Sequence, residues 1–389
     1  MRKPLQIIIG GDFAPTLSNY DLFCSGDVDT LFGSEILNLL SSSDVRIFNL
    51  ETPLISKKSP IKKCGPNIGI DEKVIKGIKK LNPSCLGLAN NHIMDHDREG
   101  FENTLKVLKN NDIEFCGIGT DFNHLRPFII KDVNNFKIGI YACAEHEFSI
   151  ATNTKCGVNP FDSMQTYYEI MNFSKKCDFL IVLYHGGKEF YPYPSPKLQN
   201  YCHKFIDSGA DFVVCQHSHC IGCEENYRTK KIVYGQGNFI FDDGTNTEQW
   251  NSGLLIRLSI LKAHAIESVN YYVHDRCSNC VRLADKNKTQ NVLNDFFDRS
   301  KQIVDQDFIE KQYKKFSDLQ MCTLLRKFDL ISSTFLFRFF NKITRQRLGR
   351  FYFKKLYLKN KSYDLQNILE CEAWHEMALQ VVKNYNNHG

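Results

Sequence analysis

The chain has 389 residues, 42% of them apolar and 24% charged, enough for one large buried core and a smaller appendage. A net charge of +5 is too small for a nucleic-acid binder, and no nucleic-acid motif is present. No uninterrupted apolar run reaches about 18 residues, so no transmembrane helix is expected.

The first 275 residues alternate short apolar runs with amphipathic stretches, the pattern of an α/β fold. Strands are predicted at Leu5–Ile9, Val45–Phe48, Leu86–Ala89, Lys137–Cys143, Phe179–Tyr184, Phe212–Cys215, Lys231–Tyr234, Leu254–Ile260 and Val269–Val273. In "DREGFENTLKVLKNN" the apolar residues Phe101, Leu105 and Leu108 recur at helical spacing, with Asp97 as the expected N-cap. "SPKLQNYCHKFIDSGA" reads as a second helix that stops at Gly209. Beyond 275 the strand patterns fade and the chain turns helical, aromatic and basic, so residues 276–389 are expected to form a separate helical extension.

Five of the predicted strands deliver a metal-friendly side chain just past their carboxyl ends. Asp12 follows the first, Glu51 the second and Asn91-His92 the third; His185 follows the fifth, and His217 and His219 follow the sixth. In open α/β sheets that edge is where ligands bind. Singly these residues mean little, since a Gly-Gly-Asp is usually a turn and a strand-end histidine is usually a hydrogen-bonded one. Repetition at five strand ends favours a site for divalent ions. Alternate residues of an extended His-x-His point to opposite sides, so that pair suits one ion or two. Carboxylates and imidazoles around such ions support phosphoester hydrolysis, with an uncoordinated histidine as proton donor.

The blocks "GDFAPT", "NLETPL", "LANNHIMDHDREGFENTL", "GIGTDFNHLRPFII", "YHGGKEFYPYPSP", "IDSGADFVVCQHSHCIGCEENY" and "KIVYGQGNFIFD" occur in the order seen in the CapA family of bacterial capsule and poly-γ-glutamate synthesis proteins. The resemblance covers roughly residues 5–275. It implies a four-layer α/β/β/α sandwich of the calcineurin-like metallophosphatase type. By the same resemblance Asp12, Glu51, Asn91, His185, His217 and His219 look like metal ligands for one or two ions of Mn, Mg, Fe or Zn. His92 resembles the catalytic acid/base, and Glu189, Tyr191 and Asn238 are expected to line the substrate pocket. Asp95 to Asp97 are expected to orient the loop and start the helix. Two departures stand out: the metallophosphatase Asp-x-His is here Asp12-Phe13-Ala14, and Glu51 stands where an aspartate motif is usual. The expected activity is hydrolysis of a phosphorylated intermediate or an acidic polymer; the alternative is a non-catalytic assembly factor for a membrane polymer synthase.

Fifteen cysteines, an odd number, and a start without a signal sequence point to a reducing cytoplasm. Cys220/Cys223 and Cys277/Cys280 form two Cys-x-x-Cys pairs, but their separation exceeds zinc-ribbon spacing and unlinked thiols are expected. "YPYPSP" suits a wall of the pocket or a structural turn, and "GQGN" a close backbone approach or a turn. Ten Lys/Arg against Asp329 alone lie between Leu324 and Asn360, among many aromatics. That segment suits either a helix on the inner, anionic face of a membrane or a helix packed on the catalytic domain.

Overall fold

Residues Ile7 to Ala14 are buried without a break, the mark of a strand covered on both faces. The computed structural model describes residues 3–327, 335–352 and 369. In chain order the strands of its two main sheets are β1 (Leu5–Ala14), β2 (Val45–Leu50), β3 (Cys85–Gly87), β4 (Phe115–Cys116), β5 (Phe128–Val133), β6 (Phe136–Ala144) and β7 (Phe179–His185). They continue with β8 (Phe212–Gln216), β9 (Ile221–Tyr227), β10 (Lys230–Gln236), β11 (Asn238–Phe241), β12 (Ser252–Lys262), β13 (Ala265–Cys277) and β14 (Cys280–Leu283).

The first sheet has the order β14-β13-β12-β1-β2-β3-β4, with β11 also paired to β1; the second runs β9-β10-β8-β7-β6-β5. β1 to β4 are mutually parallel, and so are β6, β7, β8 and β10. Parallel strands send their carboxyl ends to one edge, which is how distant parts of the chain reach a common site.

One apolar core joins the sheets: Ile7, Ile9, Ile47 and Leu86 of the first pack in a cluster with Ile140, Ile181, Leu183 and Val214 of the second. Gln216 reaches across to donate to the Gly10 carbonyl at 3.3 Å. Helices α1 (Tyr20–Ser25), α2 (Val28–Ser41), α3 (Ile75–Lys80) and α4 (Asp97–Asn110) flank the first sheet. There Phe32 stacks on Phe239 with centroids 5.1 Å apart. Helices α5 (Gln165–Ser174) and α6 (Pro196–Asp207) cover the second, where Ile170 and Phe205 meet Leu180, Val182 and Val213. The architecture is the four-layer α/β/β/α sandwich.

Local signals acted largely as their chemistry requires. Ser195 caps α6 by accepting from Leu198 N, and Pro196 fills the first turn, where no N–H is needed. In α4, Phe101 and Leu108 are buried and Leu105 half-buried, as the spacing predicts. Asp97, however, is not the cap. It is the first helical residue, at φ +54°, and His96 stands before it without a side-chain capping hydrogen bond.

Regular β structure does not stop at 275. A short helix α7 (Glu248–Asn251) leads into β12; β13 then runs to Cys277 and turns back as β14, after which a longer α8 (Lys286–Gln302) completes this part. β14 is short and lies at a sheet edge, which is why its sequence carries little strand pattern. Asp285 caps α8 at Lys288 N; Arg299 donates to the Gly222 carbonyl, and Phe296 is buried beside Tyr271. The first compact unit therefore extends to Glu310.

The second unit, from Lys311, contains most of α9 (Gln306–Lys327), then α10 (Phe335–Ile343) and α11 (Arg347–Tyr352). Asn341 is buried and accepts from Gly349 N, joining the last two. Residues 328–334 and 353–360 of the basic aromatic segment lie outside the described residues. Among the described residues no helix is long and apolar enough to cross a membrane.

Candidate metal centre

Asp12 lies in β1 between Asn49 of β2 and Asn238 of β11, directly opposite both. Its Oδ1 accepts from Asn49 Nδ2 at 2.8 Å, and its Oδ2 accepts from His217 N at 3.2 Å. Asn49 Nδ2 also faces His185 Nδ1 at 3.2 Å, so one amide orients a carboxylate from one sheet and an imidazole from the other. His185 Nε2 is 3.0 Å from Asn91 Oδ1, 3.2 Å from His217 Nδ1 and 3.7 Å from Glu51 Oε1. His219 Nδ1 is 3.4 Å from Asp12 Oδ2. All six expected ligands thus meet in one cluster, and Glu51, His217 and His219 can offer ligand atoms within 4.8 Å of one another.

His217 and His219 both adopt left-handed backbone, at φ +85° and +50°. β8 has already ended at Gln216, so the pair is a turn and not the extended His-x-His expected. This is why His217 and His219 can share one cluster: non-glycine residues hold such φ values only where the surroundings impose them.

The donor set fits a divalent ion. Glu51 is fully buried, and neither of its carboxylate oxygens has a hydrogen-bond partner. Burial, reinforced by the charge of Asp12, holds that carboxyl well above the usual carboxylate range. Burial also raises Asp12, against the pull of His219. The imidazoles of His185 and His217 are pushed well below their usual range, by burial and then by neighbouring histidines. Neutral imidazoles are the form that ligates metal, and an unpaired buried carboxylate gains most from a cation.

His92 is buried and acts electrostatically on Asp12, His185 and His217. Its Nδ1 is 2.6 Å from Asp95 Oδ2. Asp95, wholly buried, also accepts from Ile68 N and pairs with the ammonium of Lys63. His96 Nδ1 accepts from Ser59 N at 2.8 Å. Asp95 and His96 therefore pin the loop that carries Lys63 beside His92. Asp97 is exposed and takes no part.

The pocket residues divide. Glu189 is half-buried and close enough for its charge to raise Glu51. Tyr191 is buried, with its ring 5.9 Å from that of Tyr193. Asn238, expected to face substrate, is buried with both amide atoms engaged: Oδ1 is 2.8 Å from His219 Nδ1, and Nδ2 donates to the Trp250 carbonyl. It buttresses a ligand instead. Cys220 and Cys223 are buried at one edge of the second sheet, whereas Cys277 and Cys280 pair across the hairpin at the edge of the first. Among the described residues no cysteine joins a metal-ligating group.

Four functional neighbours escaped the sequence reading. Asn49 sits two residues before Glu51 in a motif too short to interpret. Asn90 holds the loop by donating to Asn49 Oδ1 and the Leu50 carbonyl and accepting from His92 N and Ile93 N. Glu145 and Glu147 follow β6, a strand whose carboxyl end carried a signal left unread.

A model of the family described as bacterial capsule synthesis protein PGA_cap matches residues 6–243. The chain belongs to that family. This PGA_cap member is 29% identical over 214 residues to capsule biosynthesis protein CapA of Bacillus anthracis, across 53% of this chain and 52% of that one. It is 27% identical over 212 residues to PGA biosynthesis protein CapA of Bacillus subtilis, across 53% and 55%. The chain thus spans about half the length of these curated relatives. Among solved structures it is similar to a phosphatase from Mycoplasma pneumoniae, with 14% identity and a TM-score of 0.44 over 75% of this chain and 100% of that one.

Proposed function

We propose that this PGA_cap member is a divalent-metal-dependent hydrolase of phosphoesters serving the production of a capsule, an exopolysaccharide or poly-γ-glutamate. The observation that carries the reading is Glu51: its carboxylate oxygens are buried and unpartnered amid Asp12, Asn91, His185, His217 and His219. This mixture of oxygen and imidazole donors suits Mn²⁺, Mg²⁺, Fe or Zn²⁺. A bound ion supplies Lewis-acid charge at a phosphoryl oxygen. The chain's own residues do the rest. Asn49 orients Asp12 and His185 together. Asp95 occupies His92 Nδ1, which leaves Nε2 as the atom that gives a proton to the departing oxygen. Glu189, whose charge reaches Glu51, and Tyr191 are assigned to the substrate pocket in this reading. The substrate is a phosphorylated intermediate or an acidic polymer, met at the cytoplasmic side of the membrane.

The test is hydrolysis of p-nitrophenyl phosphate by the full chain with added Mn²⁺, Mg²⁺, Fe²⁺ or Zn²⁺. Turnover that vanishes with chelator and in His217→Ala supports the reading; full activity in metal-free protein refutes it. Metal binding without turnover on any phosphoester would favour the second reading, a non-catalytic assembly factor for a polymer synthase. One observation supports that alternative. Ala14, where the metallophosphatase motif has a histidine, is buried in an apolar cluster with Phe241 and Trp250.

Contact with the membrane surface is part of the proposal. On α10, Phe335, Leu336, Phe339, Phe340 and Ile343 are exposed alongside Arg338 and Lys342. Apolar side chains flanked by cations suit an anionic lipid surface. Co-sedimentation with phosphatidylglycerol vesicles, expected to fall in Phe339→Glu/Phe340→Glu, checks it.

A further inference from the structure

We infer that Glu145 and Glu147, on the loop after β6, form with His217 a second cation site at the rim of the buried cluster. The inference rests on the metal reading of that cluster and extends it outward.

The geometry is the first support. His217 Nε2 lies 3.6 Å from Glu145 Oε1 and 4.0 Å from Glu147 Oε1. Both separations are too long for hydrogen bonds. Two ligands about 2.1 Å from one small ion stand about 3–3.5 Å apart, so slight rotation of two glutamates suffices. These side chains retain 36% and 33% of their exposure, which leaves them free to make that adjustment. The imidazole is the fixed member, with a side chain 4% exposed. Glu145 is also steered from behind, since its Oε2 accepts from Gly187 N at 3.2 Å.

Charge is the second support. Asp12, Glu51, Glu145, Glu147 and Glu189 gather here; Glu189 acts on both Glu51 and Glu145, Glu147 acts on Glu145, and the exposed Lys188 opposes them at Glu145 with a single positive charge. Among the described residues no Lys or Arg forms an ion pair with Glu145 or Glu147, and Lys63 is committed to Asp95. Glu51, with both oxygens buried and unpartnered, can reach the same histidine. A wall of carboxylates repels a phosphate or polyanion unless cations intervene.

The rim site also answers the departure at Asp12-Phe13-Ala14. A neutral imidazole has one free lone pair, so His217 serves either the inner cluster through Nδ1 or the rim through Nε2. Use at the rim leaves Asp12, Glu51, Asn91, His185 and His219 for the inner ion. Two carboxylates from a different strand end then hold the second cation in place of the histidine that Ala14 replaces.

The experiment is Mn²⁺ binding to the full chain by equilibrium dialysis with metal analysis, comparing wild type with Glu145→Gln/Glu147→Gln. The expected result is one Mn²⁺ fewer in the double variant, or a weaker site loosened at least ten-fold, with the tighter binding retained. Equal stoichiometry and affinity in both proteins overturns the rim site and leaves the inner cluster standing. No Mn²⁺ in either overturns both. Metal-free melting curves verify folding, and Glu147→Gln alone, an exposed loop change, gives a second reading: a several-fold weakening supports the site, and no change opposes it.

Discussion

His92 Nδ1 stands 2.6 Å from Asp95 Oδ2, and the same carboxylate neutralises the buried ammonium of Lys63. Asp95 thus has two separable tasks, aligning an imidazole and compensating a charge. Removing one partner of a buried ion pair costs about 3–5 kcal/mol, mostly through the charge left behind. Asp95→Asn is expected to lower the unfolding free energy by about that amount. Adding Lys63→Met should recover most of the stability but not turnover, because His92 remains unaligned. Urea unfolding and phosphatase assays of the single and double variants separate the tasks; equal destabilisation in both would show that Lys63 is not the cause.

Asn49 touches no expected ion, yet it binds Asp12 Oδ1, faces His185 Nδ1 and accepts from Asn90. Groups that orient metal ligands are worth about 10–100-fold in affinity. Asn49→Ala is expected to weaken Mn²⁺ binding by that factor, as measured by isothermal titration calorimetry. An unchanged dissociation constant would mean that packing alone aligns Asp12 and His185.

Glu51 makes the metal-free protein harder to fold and the metal-loaded protein easier. With no partner for either oxygen, its carboxyl is stabilised only by protonation or by a cation. At a concentration 100 times the dissociation constant, Mn²⁺ should stabilise the wild type by about 2.7 kcal/mol. Glu51→Gln should show little of that gain while melting no lower than wild type without metal. Thermal scans with and without Mn²⁺ give both comparisons, and a variant that still gains fully from Mn²⁺ would remove Glu51 from the ligand set.

His274 imposes an acid limit on stability. It lies opposite Gly253 and against the Phe239 ring, fully buried, with no hydrogen-bond partner at either nitrogen, and burial pushes it down to about 4. The unfolded chain takes up this proton near pH 6.5, whereas the folded one waits until about pH 4. The contribution is complete above pH 6.5 and is lost as pH falls toward 4, by up to about 3 kcal/mol. His274→Leu cannot bind the proton. Its unfolding free energy relative to wild type should therefore rise by about that amount between pH 7 and pH 4. Urea titrations at the two pH values measure the change; a constant difference would contradict it.

The strands that carry the site were legible from composition. Runs such as Ile7–Ile9 and Phe179–Tyr184 are continuous and apolar and contain β-branched residues, and they have few structural options other than a strand buried on both faces. Half-exposed or polar strands were less legible, although part of β13, Val269–Val273, was predicted. β5 sits at a sheet edge with alternate residues in water, and β9 becomes polar after Cys223. β11 is only Asn238–Phe241, pressed against β1 by a glycine turn. Short edge strands bury too little to leave a periodic trace.

The candidate ligands belong to the same division. That Asp12, Glu51, Asn91, His185 and the 217/219 pair stand near the carboxyl ends of strands is a local property, written in the order of residues. That Asn238 turns inward to hold His219, that His217 and His219 bend into left-handed backbone, and that Glu145 reaches His217 depends on how two sheets stack. Sequence determined which segments bury themselves and what chemistry stands at their tips, because burial and side-chain type are properties of each segment. Only the tertiary structure decided which tips face one another, since a separation of a few ångströms between residues far apart in the chain is set by the packing of the whole core.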